Sequence, residues 1–95
     1  MEKAAEDIFG PKLDQDLRER DSRYGKFRDN GRVSQELKCA LRSGTFWHRL
    51  TAPQKEALEM IAVKMGRIVS GDCGKQPDSW YDIAGFAKLG SGETD

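Results

Sequence analysis

Asp82 lies in "DSWYDIAGFAKL", residues 78–89, a stretch that reads as a helix. At about 100° per residue, Trp80, Ile83, Phe86, Ala87 and Leu89 form an apolar arc around roughly half of that helix. Asp82 falls inside the arc, between Phe86 and Leu89. A carboxylate so placed needs a cationic or hydrogen-bonding partner, or its pKa rises until it is neutral. Lys64 and Arg67 are the obvious partners, because they close the preceding helix and a short loop brings that end back alongside the last one. The plain outcome is a clamp that fixes helix register, with Asp82 largely buried against Lys64 or Arg67. The chemical outcome is a polar pocket between helices, where Lys64 and Arg67 bind phosphates and carboxylates hold a divalent cation. Mg²⁺ typically takes one or two protein carboxylates plus substrate phosphates.

The elements that must position these groups are helical. Thr51-x-x-Gln54 is a capping box and Pro53 suits a first turn, which predicts a long helix over 52–70 closed by Gly71. Leu58, Ile61, Ala62, Met65, Ile68 and Val69 make its expected core face, with Glu56, Glu59, Lys64 and Arg67 spread over the other side. Met60 and Val63 point the same way as those charges, so that side too is expected to be covered, by the last helix or by another subunit. Asp78 is the expected N-cap of the last helix.

Upstream, a short helix over 2–9 stops at Gly10, and Pro11 opens a second that runs to about residue 22 with only Leu13 and Leu17 as anchors. Gly25, Asn30 and Gly31 predict a loop. The next helix, 32–43, carries an apolar stripe of Val33, Leu37, Ala40 and Leu41. Phe46, Trp47 and Leu50 are expected to plug one end of the core. No strand pattern appears. The expected fold is all-α, a single small domain of about four helices, the last two an antiparallel pair. Residues 1–22 form an N-terminal extension, 23–89 the core and 90–95 a flexible tail.

Composition limits the function classes. Among 95 residues, 37% are apolar and 34% charged, and a chain this short buries only roughly 60–65% of its unfolded surface. A homodimer or larger homo-oligomer is therefore expected. Sixteen basic and sixteen acidic residues cancel, which removes the overall basic excess of a nucleic-acid binder. No apolar run approaches the ~18 residues of a membrane span, and the acidic N-terminus lacks a signal-peptide core, so a cytoplasmic location is expected. Cys39 and Cys73 form no CxxC and have no histidine at ligand spacing, which argues against zinc. They are expected as free thiols, Cys39 as a small core residue. His48, the only histidine, is read as a packing or capping residue, and "GDCGK" around Cys73 is not a P-loop. Arg23, Tyr24, Lys26, Phe27, Arg28 and Arg32 mix basic and aromatic side chains, either as a solvated loop anchored by its aromatics or as a surface for a nucleotide.

"RYG" at 23–25, "KMGRI" at 64–68 and "DSWYDIAGFAKL" at 78–89 together resemble a family of small bacteriophage and prophage proteins of unassigned function. That family's pattern is RYG-x-F, K-x-x-R-I and DSW-x-DIAGYA, and Phe86 stands where its tyrosine usually does. The resemblance spans residues 23–89 and points to Tyr24, Gly25, Lys64, Arg67, Asp78, Ser79 and Asp82. More distantly, the arrangement is similar to the MazG-like all-α nucleoside triphosphate pyrophosphatases, whose ExxE and ExxD pairs bind Mg²⁺. Glu56-x-x-Glu59 matches the first pair. Asp82 matches the aspartate of the second, while Ser79 stands in place of its glutamate. This similarity implies Mg²⁺ held by Glu56, Glu59 and Asp82, with Lys64, Arg67, Asp78 and Ser79 about the phosphates and Tyr24 against a base. The implied function is a phage-encoded nucleotide- or phosphate-binding domain in the host cytoplasm, with pyrophosphohydrolysis as its chemistry. The other expectation is a non-catalytic phage effector that binds a host protein, or sequesters a nucleotide signal, to counter bacterial defence.

Overall fold

The capping box forms as its spacing predicts. Thr51 Oγ1 accepts from the Gln54 backbone N–H at 3.2 Å, and the Gln54 side-chain oxygen accepts from the Thr51 N–H at 3.0 Å. It starts the central element of the fold, helix α3 (Ala52–Arg67). Before it come α1 (Glu2–Tyr24) and α2 (Phe27–Arg42), and after it α4 (Pro77–Ser91). A 3₁₀ turn, Trp47–Arg49, links α2 to α3, and a π-turn, Ile68–Asp72, follows α3. The computed structural model describes residues 2–93, with side chains for 9–71 and 73–93; among these there is no strand. The fold is a small all-α domain.

Helix α3 packs on α2 along one side and on α4 along the other, while α1 meets mainly the π-turn. The α3–α4 pair is antiparallel. A methyl group added at Gly90 would stand 3.0 Å from Ala57 Cβ at one end, and Lys64 meets Asp82 at the other. Small residues let the axes approach: Ser79 is buried where α4 faces α3, and Ser34 of α2 packs against Gly66 of α3. No described helix is long and apolar enough to cross a membrane.

Several boundaries differ from expectation, each for a local reason. Gly10, at φ 80° and ψ 169°, breaks α1 into the two expected helical segments. The second of these continues through Tyr24, and the expected loop shrinks to Gly25 and Lys26. Helix α2 starts at Phe27 because Lys26 takes an extended conformation before it and Asn30 Nδ2 donates to the Tyr24 carbonyl at 3.1 Å. Asn30 thus ties α2 to the end of α1 from inside the helix. Pro77 rather than Asp78 opens α4, following Gln76 as N-cap. The expected tail is helical through Ser91, and Thr51 Oγ1 donates to the Glu93 carbonyl at 3.0 Å; Thr94 and Asp95 lie outside the described residues.

The core also differs. Only Ala57 and Ala62 are buried among the described apolar side chains, whereas Met65 and Val69 of the expected core face are exposed. Alpha helices α2 and α4 occupy opposite flanks of α3, so the side that faces neither is left open. Phe46 is exposed beneath Arg49, whose guanidinium lies 4.5 Å from its ring centroid, and does not plug the core. Cys39 is exposed, since it faces away from α3, and is a free thiol like Cys73.

Candidate functional site

The end of α1 and the π-turn that follows α3 are held together by backbone contact. A Cβ on Gly71 would lie 1.8 Å from the Tyr24 carbonyl oxygen, and one on Gly25 would lie 2.6 Å from the Ser70 carbonyl oxygen. No side chain fits between the segments. Gly25 also sits at φ +83°, a region that L side chains rarely adopt. This crossing lays the Tyr24 ring against the last turn of α3.

Three guanidiniums gather there. Arg67 of α3 lies 5.1 Å from the Tyr24 ring centroid, Arg20 lies 5.6 Å away and Arg23 5.9 Å away. Each distance is within cation–π range. None of the three forms an ion pair with a described carboxylate. Tyr24 Oη donates to Asp78 Oδ2 at the start of α4, and Asp78 Oδ1 accepts from the Ser79 N–H at 3.1 Å. The Tyr24 hydrogen bond holds the Asp78 carboxyl below the ordinary carboxylate range against a smaller desolvation effect; backbone N–H groups and the charge of Arg23 act in the same direction. The aromatic therefore joins α1, α3 and α4.

A cleft of about 250 Å³ opens beside Tyr24 between α1, α2 and α3. Arg20, Arg67 and Lys38 supply cations to its wall, and Leu17, Phe27 and Val63 supply apolar surface. Asn30 and Ser34 also line it, and Asn30 Oδ1 and Ser34 Oγ are buried with no hydrogen-bond partner among the described residues.

Lys64 and Asp82 meet one turn away, at 3.0 Å. The expected ion pair is present, with the burial reversed. Lys64 has 12% of its side chain exposed and Asp82 has 46%. Lys64 lines a shallow groove with Tyr81, Gly85 and Phe86 of α4, and its ammonium reaches the Asp82 carboxylate. Arg67, the other proposed partner of Asp82, turns to Tyr24 instead.

The carboxylates implied for Mg²⁺ do not converge. Glu59 accepts from Arg42 of α2 through both oxygens, at 2.7 and 3.3 Å. That pairing lowers the Glu59 pKa and raises that of Arg42. Glu59 and Asp82 thus serve opposite flanks of α3, and Glu56 is exposed. Among the described residues no three His, Cys, Asp or Glu side chains stand close enough to hold a metal. Ser79, which occupies the position of the second pair's glutamate, is 2% exposed with its Oγ unpartnered, beneath α4 rather than in the cleft.

Of the residues singled out in the sequence, Tyr24, Gly25, Arg67 and Asp78 come together; Lys64 and Asp82 form a separate pair. Sequence reasoning missed Arg20 and Asn30. Arg20 had a legible signal, since it precedes Tyr24 by one helical turn. Asn30 had none, because its role follows from α2 starting earlier than its glycine suggests. Comparisons with protein-family models, curated proteins and solved structures found no match to this chain.

Proposed function

We propose that this chain is a phage-type helical domain that binds a nucleotide or another phosphate-bearing ligand in the host cytoplasm. One observation carries the reading. Arg20, Arg23 and Arg67 converge on Tyr24 with no described carboxylate paired to any of them. A bound anion would supply the partner that no described side chain gives these guanidiniums. Guanidinium groups suit phosphate because their planar forks donate two parallel hydrogen bonds. The cleft alongside offers Phe27 and Val63 to an apolar ring and the unsatisfied Asn30 Oδ1 and Ser34 Oγ to its polar edge.

Binding is favoured over pyrophosphohydrolysis. Glu59 and Asp82 each neutralise a cation on opposite flanks of α3, so among the described residues no carboxylate cage stands at the phosphate end. Any Mg²⁺ would be one carried in by the ligand's own phosphates. The test is a thermal-shift and pyrophosphate-release panel of nucleoside mono-, di- and triphosphates, with and without Mg²⁺. Stabilisation by at least one phosphate compound, lost in Arg67→Ala, is expected. No shift with any compound at millimolar concentration sinks the reading, and turnover would restore the hydrolase.

The effector reading keeps one observation of its own. Tyr81 and Leu89 are both well exposed on either side of Gly85 along α4, an apolar edge available to a host protein. A stoichiometric host partner recovered by the wild type but not by a Tyr81→Ser/Leu89→Ser variant would favour it.

A further inference from the structure

Helices α2, α3 and α4 form a single layer with α3 in the middle, and its two faces differ. One carries α1 and the cleft, where Phe27, Gln35 and Lys38 of α2 and Val63 and Arg67 of α3 look toward Leu17, Arg20 and Tyr24. Nothing in the described chain covers the other.

That open face is apolar along its length. With about 100° per residue, Leu58, Ile61 and Met65 lie on α3 opposite the cleft side, and Val69 stands exposed in the π-turn that follows. Leu58 lines a groove with Ala87 of α4, which fixes the side of α4 that shares this face. Trp80 and Ile83 fall on that same side. Val33, Leu37 and Ala40 of α2 lie on the flank away from the cleft. No Asp, Glu, Lys or Arg falls within the α3 and α4 arcs, while on α2 Asp29 and Glu36 border the stripe beside Ala40. Met65 is 42% exposed, Trp80 54% and Val69 68%.

A helical layer buries its apolar side against a second layer. Here the single chain exposes 7253 Å², against about 5,500 Å² for a compact monomer of this mass. The excess, about 1,750 Å² shared between α1 and the open face, is larger than the roughly 800 Å² that one partner gives to a standard interface. The radius of gyration, 15.9 Å, likewise exceeds the roughly 12 Å of a compact chain this long.

We infer that a second copy of this chain packs on the open face of α2, α3 and α4, so that the stripe exposed in one chain becomes the core of a two-layer dimer. The occupant is another copy because the missing layer is needed for folding and must be present whenever the chain is. Two alanines make a core too thin for an independent domain, and only a copy is made along with the chain. The uncharged stripe of α3 and α4 also meets itself without pairing like charges.

Sedimentation of the full chain tests this. The wild type is expected at twice 10.7 kDa, with a Tm that rises over an about 100-fold increase in protein concentration. Val69→Lys and Met65→Lys are expected to weaken the dimer at least about tenfold. Phe27→Lys, at a side chain 85% exposed on the cleft side, is expected to leave it intact. If Val69→Lys fails to fold while Phe27→Lys folds, the dimer is supported, since a side chain 68% exposed in one chain has no core contacts to lose. A wild-type monomer at about 100 µM with a concentration-independent Tm overturns the proposal. So does a dimer that Val69→Lys leaves unchanged or that Phe27→Lys dissolves. Phosphate binding at Tyr24 does not enter these readouts, so either conclusion can fail alone.

Discussion

Replacing Gly71 by alanine adds one methyl group at the tightest backbone crossing in the fold. That Cβ would lie 1.8 Å from the Tyr24 carbonyl oxygen and 2.0 Å from its carbonyl carbon. Contacts below about 3 Å to backbone atoms cannot be relieved by rotating a side chain, so the segments must separate by more than about 1 Å. Overpacking of this kind costs about 1–3 kcal/mol. The movement also stretches the Asn30 hydrogen bond to the Tyr24 carbonyl, now 3.1 Å, beyond useful length, for about 1 kcal/mol more. A loss of about 2–4 kcal/mol is expected, a large share of the stability of a small domain. Urea unfolding at fixed protein concentration measures it. Gly85→Ala is the control: nothing lies within 4 Å of its added Cβ, and it sits inside α4. There the same methyl should stabilise by about 0.5–1 kcal/mol, through helix propensity and a less flexible unfolded chain. If Gly71→Ala unfolds within 0.5 kcal/mol of the wild type, the crossing does not hold α1 against α3, and the reasoning about the Tyr24 site fails with it.

Three further outcomes follow from individual contacts. Thr51→Ala removes the α3 cap and the hydrogen bond to Glu93, and should lower stability by about 1 kcal/mol in the same urea assay. The Glu59 pKa is lowered chiefly by its hydrogen bonds from Arg42; its contribution is therefore complete above the ordinary glutamate pKa of about 4.3 and is lost as pH falls through the depressed value. Glu59→Gln should accordingly flatten the acid limb of a Tm-against-pH curve and leave the shape above pH ~6 unchanged. Tyr24→Phe removes the main cause of the low Asp78 pKa, so carboxyl-detected NMR titration should show Asp78 titrating at higher pH than in the wild type.

Much of this fold was legible because its signals are local. The α3 cap, the Gly10 break and the antiparallel α3–α4 pair follow from hydroxyl, glycine and proline positions and from apolar spacing. Asn30 and Gly31 misled because an asparagine usually turns the chain, whereas here its amide satisfies a carbonyl of the previous helix. That Asp82 would meet Lys64 or Arg67 was readable from angular position, but the choice between them and the burial of the pair were not, since both depend on how the helices pack. Glu56 and Glu59 share one helix at metal-binding spacing, yet Arg42 claims Glu59 from a helix whose placement no spacing reveals. The stripe of Leu58, Met65 and Val69 was read as core from its periodicity. Periodicity reports that a face is to be buried, not which chain buries it.

The central claim is that the cations around Tyr24 bind phosphate. Isothermal titration of a nucleoside triphosphate, and of inorganic triphosphate, into the wild type and Arg67→Gln tests it most directly. Removing one charge-assisted donor costs about 1.5–3 kcal/mol, so the variant should bind about 10- to 100-fold more weakly, with its circular dichroism unchanged. Equal affinity in the two proteins, or no heat from either ligand in the wild type, would contradict the account.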